Sequence, residues 1–469
     1  MTPRASIKIG LVSLGCAKNL VDSEVMLGLL AQDGMTLTER AEDADVLIVN
    51  TCGFIDKAKQ ESIDTILKLN QLRETGHCKA LIMTGCLTQR YPQELRRELP
   101  EVDAIVGLNE VPQIPAIVRQ VLEKVGQASR LSDGLPRGDR RDARPTMYWS
   151  GPAKYVPDFS APRLRLTPRH TAYVKIAEGC NHPCAFCSIP RIRGRYRSRP
   201  REDVLAEIRA LVAADCREIN IISQDTTFYG RDLTGGQELL SELLRQAQAI
   251  PGDFWIRLLY THPAHWTDEL IATIASCDKV CRYVDMPLQH INDAMLTAMK
   301  RETSGQYIRD LIGRIRAGIP GIILRTTFIV GYPGETAAQF AELLEFIAAT
   351  KFERLGVFAY SQEDHTPAGN LQQQLSEKVK AARRGKALAL QQKISRQVQR
   401  QFVGQTARVL VEKLTKTGWQ GRSVADAPEI DGTVTGLGSA PTGEFAEVQI
   451  TSSTIYDLKG RIIQHGSKI

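Results

Sequence analysis

A chain of 469 residues is longer than one core of about 100 to 200 residues usually organises, so roughly three domains are expected. Hydrophobic residues make up 43% and charged residues 24%, which is globular composition and excludes both a disulfide mini-protein and wholesale disorder. The net charge of +7 is a mild basic excess that fits an anionic partner without selecting one. No run of about 18 apolar residues occurs, and Met1 to Gly10 carries Arg4 and Lys8 but no apolar leader core, so the expectation is a soluble cytoplasmic protein with no membrane role.

From Ile7 to about Gly126, strand-like runs (Lys8 to Leu14, Asp45 to Asn50, Ala80 to Thr84, Val102 to Val106) alternate with helical stretches such as Ser23 to Ala31 and Ala58 to Leu72. That pattern predicts an α/β domain with a parallel sheet over residues 1–126. Residues 127–170 are rich in Pro, Arg and Gly, as in Pro136 to Arg141, and read as a linker. A second alternation covers residues 171–375, with strands near 172–177, 217–222, 255–260, 282–286, 322–330 and 355–360. Its helices include Arg201 to Ala214, Asp268 to Ser276 and Ala337 to Thr350. Six βα units in this length predict a partial or complete parallel barrel, with its site at the strand carboxyl ends. Residues 376–404 read as one polar connecting helix, which links domains or lies on a partner. Residues 405–469, rich in Val, Thr, Ile and Gly, read as a small antiparallel barrel.

Ten cysteines without a secretory signal point to metal or redox chemistry before disulfides. Cys180, Cys184 and Cys187 form C-x3-C-x2-C directly after the first strand of the second domain. Three thiolates on one loop can face a single iron-sulfur cubane and leave one iron open to a cofactor. Zinc is the alternative, and it needs a fourth ligand that His182, inside the loop, supplies awkwardly.

This motif at the head of a six-unit βα barrel resembles the radical S-adenosylmethionine superfamily. The resemblance implies a 4Fe-4S cluster whose open iron chelates S-adenosylmethionine, and electron transfer that cleaves it to methionine and a 5′-deoxyadenosyl radical. It also implies adenine contact at Phe186, for which a core position is the plain alternative. The Gly-rich segment from Phe328 to Glu335, with Gly331 and Glu335, resembles the superfamily's cofactor-contacting strand end, although Pro333-Gly334 also suits a simple turn. Gln224 and Asp225 are similar polar candidates, with loop or cap roles as the alternative.

Cys16, Cys52 and Cys86 form no local motif, yet each falls just past the carboxyl end of a predicted strand, where ligands of open α/β sheets gather. Three such thiols suggest a second cluster with one open iron, against the alternative of buried structural thiols. Cys78 precedes its strand and points to the opposite edge. The runs Ser13 to Glu24, Asn50 to Ile55 and Thr84 to Leu87 resemble the amino-terminal domain of the methylthiotransferases. Members of that family carry a radical S-adenosylmethionine barrel in the middle and a small OB-like TRAM barrel at the end. The resemblance implies that Cys16, Cys52 and Cys86 hold an auxiliary 4Fe-4S cluster that supplies or carries sulfur, and that Cys78, Cys216, Cys277 and Cys281 are structural.

The family divides chiefly between enzymes acting on an adenosine of tRNA and those acting on an aspartate of small-subunit ribosomal protein twelve. The run Cys16 to Glu24, Met286 to His290, Gly421 to Ser423 and Asp426 to Gly432 resemble the ribosomal-protein branch. The tRNA branch typically has Gln-Met-Asn after the first Cys and Gln-Ser-Gly at Gln289 to Ile291, and neither is present. Residues 405–469 hold seven Lys or Arg and seven Asp or Glu, whereas an RNA-binding barrel is expected to carry a basic face. The acidic segment Asp426 to Asp431 suits a basic ribosomal protein. The expectation is therefore methylthiolation of the aspartate β-carbon, with a reducing electron donor and a sulfur donor as further partners and RNA contact not required. The alternative is tRNA modification at C2 of an adenosine. Arg191, Arg193, Arg195, Arg197, Arg199 and Arg201 alternate after the cluster loop, either to steer an anionic substrate or as a solvated strand face.

Overall fold

The computed structural model describes residues 6–75, 77–131 and 146–465, and the predicted Pro136 to Arg141 part of the linker lies outside them. The chain forms two compact units. One runs up to Leu166 and adds Glu178–His182 and Cys187–Arg197. The other comprises Thr167–Ala177, Pro183–Phe186 and the chain from Ser198 onward.

The first unit is built on one sheet of six strands: β1 (Lys8–Ser13), β2 (Thr36–Leu37), β3 (Val46–Thr51), β4 (Ala80–Gly85), β5 (Ala104–Val106) and β6 (Met147–Trp149). Their order is β2-β1-β3-β4-β5-β6, and every pairing is parallel. β3 and β4 are buried along their whole length, as central parallel strands covered by helices on both faces must be. Alternate side chains serve opposite cores. Val46, Ile48, Ala80 and Ile82 pack with Val25, Met26 and Leu30 of α1 (Ala17–Gln32), while Leu47, Val49, Leu81 and Met83 pack with Ile66 and Leu69 of α2 (Asp56–Thr75). Each fully buried Ile or Leu contributes about 1.5–3 kcal/mol to this arrangement.

Residues 127–170 are not simply a spacer. Met147–Trp149 pairs with β5 from Ala104↔Met147 to Val106↔Trp149 and closes the sheet's edge. Further on, Arg163 forms an ion pair with the buried Glu24 of α1 at 2.5 Å, and the amide of Leu166 donates to the same carboxylate at 2.7 Å.

In the second unit six parallel strands follow one another in chain order: Thr171–Lys175, Glu218–Ile222, Trp255–Leu258, Tyr283–Asp285, Ile323–Val330 and Arg354–Ala359. A bridge from Ile256 to Val280 joins the first three to the last three. This is a partial barrel, and Ile219, Ile221, Ile256, Leu258, Val284, Phe328 and Val330 of its strands share one core with Leu205, Ile208, Leu244 and Phe346 of the covering helices. The helix Glu377–Gln401, capped by the Ser376 hydroxyl accepting from Val379 N–H, is no free connector. Ala387, Ile394 and Val398 enter the barrel's core, and Gln391 donates to the Phe352 carbonyl. Five strands, Thr406–Leu414, Gly418–Ser423, Val434–Leu437, Phe445–Ser453 and Leu458–His465, close a small barrel around Trp419.

The amino ends of the large barrel's strands are occupied by charge. Glu218 lies between Arg257 (3.0 Å) and Arg422 (2.5 Å), and all three are buried. Burial pushes the Glu218 carboxyl up, but the two arginines outweigh it and hold it down at about 2. Arg354 pairs with Asp426 at 2.6 Å, and Asp431 accepts from Tyr283 at 2.6 Å and faces Arg325 at 3.6 Å. This corrects the reading of Asp426 to Asp431 as an acidic surface for a basic protein. Asp426 is buried, the Asp431 side chain is 3% exposed, and both are counter-ions of barrel arginines; of that segment only Glu429 and Ile430 are exposed. The arginine alternation is corrected likewise. Ile189–Arg193 is a short helix, and Arg193 and Arg199 are buried, Arg199 between Asp203 and Glu207 at 2.6 Å each.

Candidate metal centres

β1, β3 and β4 are neighbours in the sheet, with Ser13 opposite Asn50 and Thr51 opposite Gly85. Their carboxyl ends therefore lie side by side, and each is followed at once by a cysteine-bearing loop: Gly15-Cys16, Cys52-Gly53 and Gly85-Cys86. Cys16 precedes α1 and Cys86 opens the short helix Cys86–Arg90. Two glycines let the loops interlock. Gly15 sits at φ +90°, and a Cβ there would lie 2.8 Å from the Cys52 Cβ. A Cβ on Gly53 would meet Leu87 backbone at 2.7 Å. The Cys16 loop is thus seated on Cys52, and the Cys52 loop on Cys86 and Leu87.

The polar residues that follow Cys16 stabilise the same junction from inside α1. Asn19, fully buried, donates to the carbonyls of Leu14 (3.1 Å) and Thr51 (2.9 Å), which tethers the first loop to the second. Its carbonyl accepts from Asn50 at 2.8 Å, and Asn50 also donates to Ser23, which donates to Ser13. The Cys86 thiol donates to Asn19 Oδ1 at 3.2 Å. Each of these buried side chains makes at least one hydrogen bond within the run, which offsets its burial.

The thiols differ electrostatically. Burial pushes Cys86 up to about 12 despite the Arg193 guanidinium near it. Desolvation raises Cys16 too, but Lys18 and Arg193 outweigh it and bring the thiol below its ordinary value; the residue as a whole is exposed, so the cations decide the sign. Cys52 is raised, by burial and then by the charge of Cys16. Three cysteines within electrostatic reach of one another, with no disulfide among them, offer three soft ligands to one metal cluster. Cys78 lies apart, buried at the amino end of β4 with its thiol donating to the Ala80 carbonyl at 3.3 Å.

The triplet loop is pinned within each unit. In the first, the Cys180 amide donates to Gly194 O at 3.1 Å, and the Cys187 sulfur accepts from the Ile189 amide at 3.4 Å. In the second, Ala185 N–H donates to Met299 O and Ala185 O accepts from Ala368 N–H, while Arg301 donates to the Cys184 sulfur at 3.5 Å. Phe186 packs, half-buried, on Tyr332, Tyr360 and Met299.

At the carboxyl ends of the barrel strands the second unit holds polar atoms with no partner of their own: Ser223 Oγ, Gln224 Oε1 and Gln289 Oε1. Buried polar atoms free to accept a hydrogen bond are what a polar ligand at these strand ends would use. Gln289 and Tyr260 adopt φ +71° and +63° at these ends, and Gly331 φ +75°, a cluster of left-handed residues of the kind that gathers at binding sites. Ser223 and Tyr260 were not singled out from the sequence, and Gln289 only as a mark of the branch; their position immediately after barrel strands was the available signal. Asp225 takes the cap role that was its alternative, and Glu335 is engaged by residues of the chain itself. Asp225 accepts from Thr227 and pairs with His265 at 2.7 Å, and Glu335 accepts from the Gly331 amide at 2.6 Å and engages His290 and Arg383. Glu335 thus holds the turn that presents Gly331, and Asp225 caps the turn that follows Gln224.

Known proteins share this organisation. Residues 8–107 match the uncharacterized protein family UPF0004, residues 174–347 the radical SAM superfamily, and residues 403–463 the TRAM domain. The chain is 54% identical over 468 residues to ribosomal protein uS12 methylthiotransferase RimO of Opitutus terrae, covering 96% of each. It is 47% identical to the protein of the same name from Akkermansia muciniphila, over 96% of this chain and 99% of that one. Among solved structures, the radical S-adenosylmethionine methyltransferase TsrM from Kitasatospora setae has a TM-score of 0.51 at 16% identity, over 78% of this chain and 75% of that one, a likeness of fold alone. Among the described residues no helix is long and apolar enough to cross a membrane.

Proposed function

This chain belongs to the ribosomal protein uS12 methylthiotransferase family, and from that premise we propose that it attaches a methylthio group to the β-carbon of an aspartate of uS12. The enzyme uses two 4Fe-4S clusters and S-adenosylmethionine. Cys180, Cys184 and Cys187 would hold one cluster and Cys16, Cys52 and Cys86 the other, each set offering three thiolates. When bound, the first supplies one-electron cleavage of S-adenosylmethionine, which a β-hydrogen too strongly held for acid and base catalysis requires, and the second supplies the sulfur.

The chain's own residues position these groups. Ser223, Gln224 and Gln289 offer unpaired oxygens toward S-adenosylmethionine, Gly331 brings backbone close to it, and Phe186 offers an apolar face. Asn19 and the glycines beside Cys16 and Cys52 hold the auxiliary ligands together. A reducing electron donor and a sulfur donor complete the reaction. The observation that carries this reading is the second set of cysteines, assembled at the ends of three adjacent strands in a chain that also carries the C-x3-C-x2-C loop.

The test is the intact mass of uS12 from cells lacking this gene and from the same cells complemented with it. A complementation-dependent gain equal to one methylthio group replacing hydrogen is expected. An unchanged mass overturns the reading and moves the search to a methylthiolated adenosine of tRNA.

A further inference from the structure

Arg193 has no part in the roles assigned above, yet it is among the most heavily committed side chains of the first unit. It ends the helix Ile189–Arg193, six residues after Cys187, and only 3% of it is exposed. Its Nη1 donates to Glu178 (2.8 Å), and the two hydrogens of Nη2 are shared among Asn19 (2.5 Å), Asp22 (3.0 Å) and the sulfur of Cys86 (3.4 Å). Glu178 lies two residues before Cys180, and Asn19 is the residue that tethers the Cys16 and Cys52 loops. One cation thus joins the segment bearing Cys180 and Cys187 directly to Cys86 and to the start of α1 after Cys16, and through Asn19 to the strand end before Cys52.

The geometry at Cys86 has a direct chemical meaning. As a free thiol Cys86 donates to Asn19 Oδ1, but a metal-bound sulfur is an acceptor only. Arg193 is the cationic donor already placed against it. An N–H group on a ligating sulfur withdraws electron density and favours the reduced cluster, as does a nearby positive charge, and partners behind a ligand also fix its direction.

We propose that Arg193 is a positioning residue for the auxiliary cluster, holding the Cys86 sulfur in line with Cys16 and Cys52 and raising the reduction potential of the cluster they carry. The inference rests on the assignment of Cys16, Cys52 and Cys86 as ligands. Asp22 and Glu178 act against the cation, since each adds negative charge at the same place.

The experiment uses the full chain with Cys180, Cys184 and Cys187 all replaced by Ala, so that reconstitution loads the auxiliary site alone. A reconstituted parent with no 4Fe-4S signal refutes the ligand assignment itself, which separates that failure from failure of the role given to Arg193. With the cluster present, redox titration followed by electron paramagnetic resonance is expected to show a lower midpoint in Arg193→Gln and an altered signal from the reduced cluster. Arg193→Lys keeps the charge but not the planar fork, and is expected to recover part of the shift. Asp22→Asn is expected to move the midpoint the other way, upward. Unchanged midpoint and signal in Arg193→Gln overturn the proposal. Where Arg193→Gln retains no iron, Asp22→Asn decides: an upward shift supports the role, and an unmoved midpoint overturns it.

Discussion

Cys180, Cys184 and Cys187 stand on one short loop, whereas Cys16, Cys52 and Cys86 come from three loops separated by whole βα units. In the first set the covalent chain itself keeps the thiols together, and the fold needs only to pin the loop, which it does through Gly194 and Met299 carbonyls. In the second set nothing local keeps them together. They meet because β1, β3 and β4 are neighbours, because glycines let one loop seat on the next, and because Asn19 bonds to two of the loops. A local site is therefore vulnerable chiefly at its ligands, and a topological site also at the residues that bring its loops together.

The sharpest way to break this comparison is at the ligands. Cys184→Ala is expected to abolish both 5′-deoxyadenosine formation and methylthio transfer, while Cys86→Ala abolishes transfer and retains 5′-deoxyadenosine. Chromatographic assay of 5′-deoxyadenosine beside mass analysis of uS12 reads both. Equal loss of cleavage in the two variants would show that the sets do not have separate roles.

Next in size is a change that touches no ligand. Gly15→Val places a branched side chain at φ +90° and a Cβ against Cys52, so the loops must part. Reconstituted protein is expected to lose one cluster's share of iron and keep the triplet's. Full iron content in this variant would mean that the interlock is dispensable. Asn19→Ala is milder: it leaves the Leu14 and Thr51 carbonyls without their donor, at about 1–3 kcal/mol for each group left unsatisfied. A lowered melting temperature with faster iron loss to a chelator is expected, and the same change in a Cys16→Ala background should cost less, since the tether then holds nothing in place.

The same contrast explains what could be read from the sequence. Continuous apolar runs and their carboxyl ends marked β1, β3 and β4 and the barrel strands, because parallel strands buried on both faces carry apolar residues without alternation. The Met147–Trp149 strand was missed because three residues after a Pro- and Arg-rich stretch carry no period. Asp426 and Asp431 read as surface charge because their counter-ions Arg354 and Arg325 lie far away in sequence, and composition does not distinguish a paired buried carboxylate from a solvated one. Arg193 was hidden in the same way, as one of six alternating arginines whose burial is decided by Asp22 and Glu178.

The smallest expected effect tests whether strand ends, and not cysteine content, define the auxiliary site. Cys78 precedes β4 while Cys86 follows it, so the length of one strand separates the proposed bystander from the proposed ligand. The Cys78 thiol is buried and donates to the Ala80 carbonyl, so Cys78→Ala removes a small side chain and its weak hydrogen bonding, at about 1 kcal/mol. Iron content, 5′-deoxyadenosine formation and uS12 mass are all expected to match the parent, with a slightly lower melting temperature. A drop of one cluster in this variant would place Cys78 with the ligands and undo the argument from the sheet's two edges, because a residue at the amino end of a parallel strand would then be serving a site at the carboxyl end.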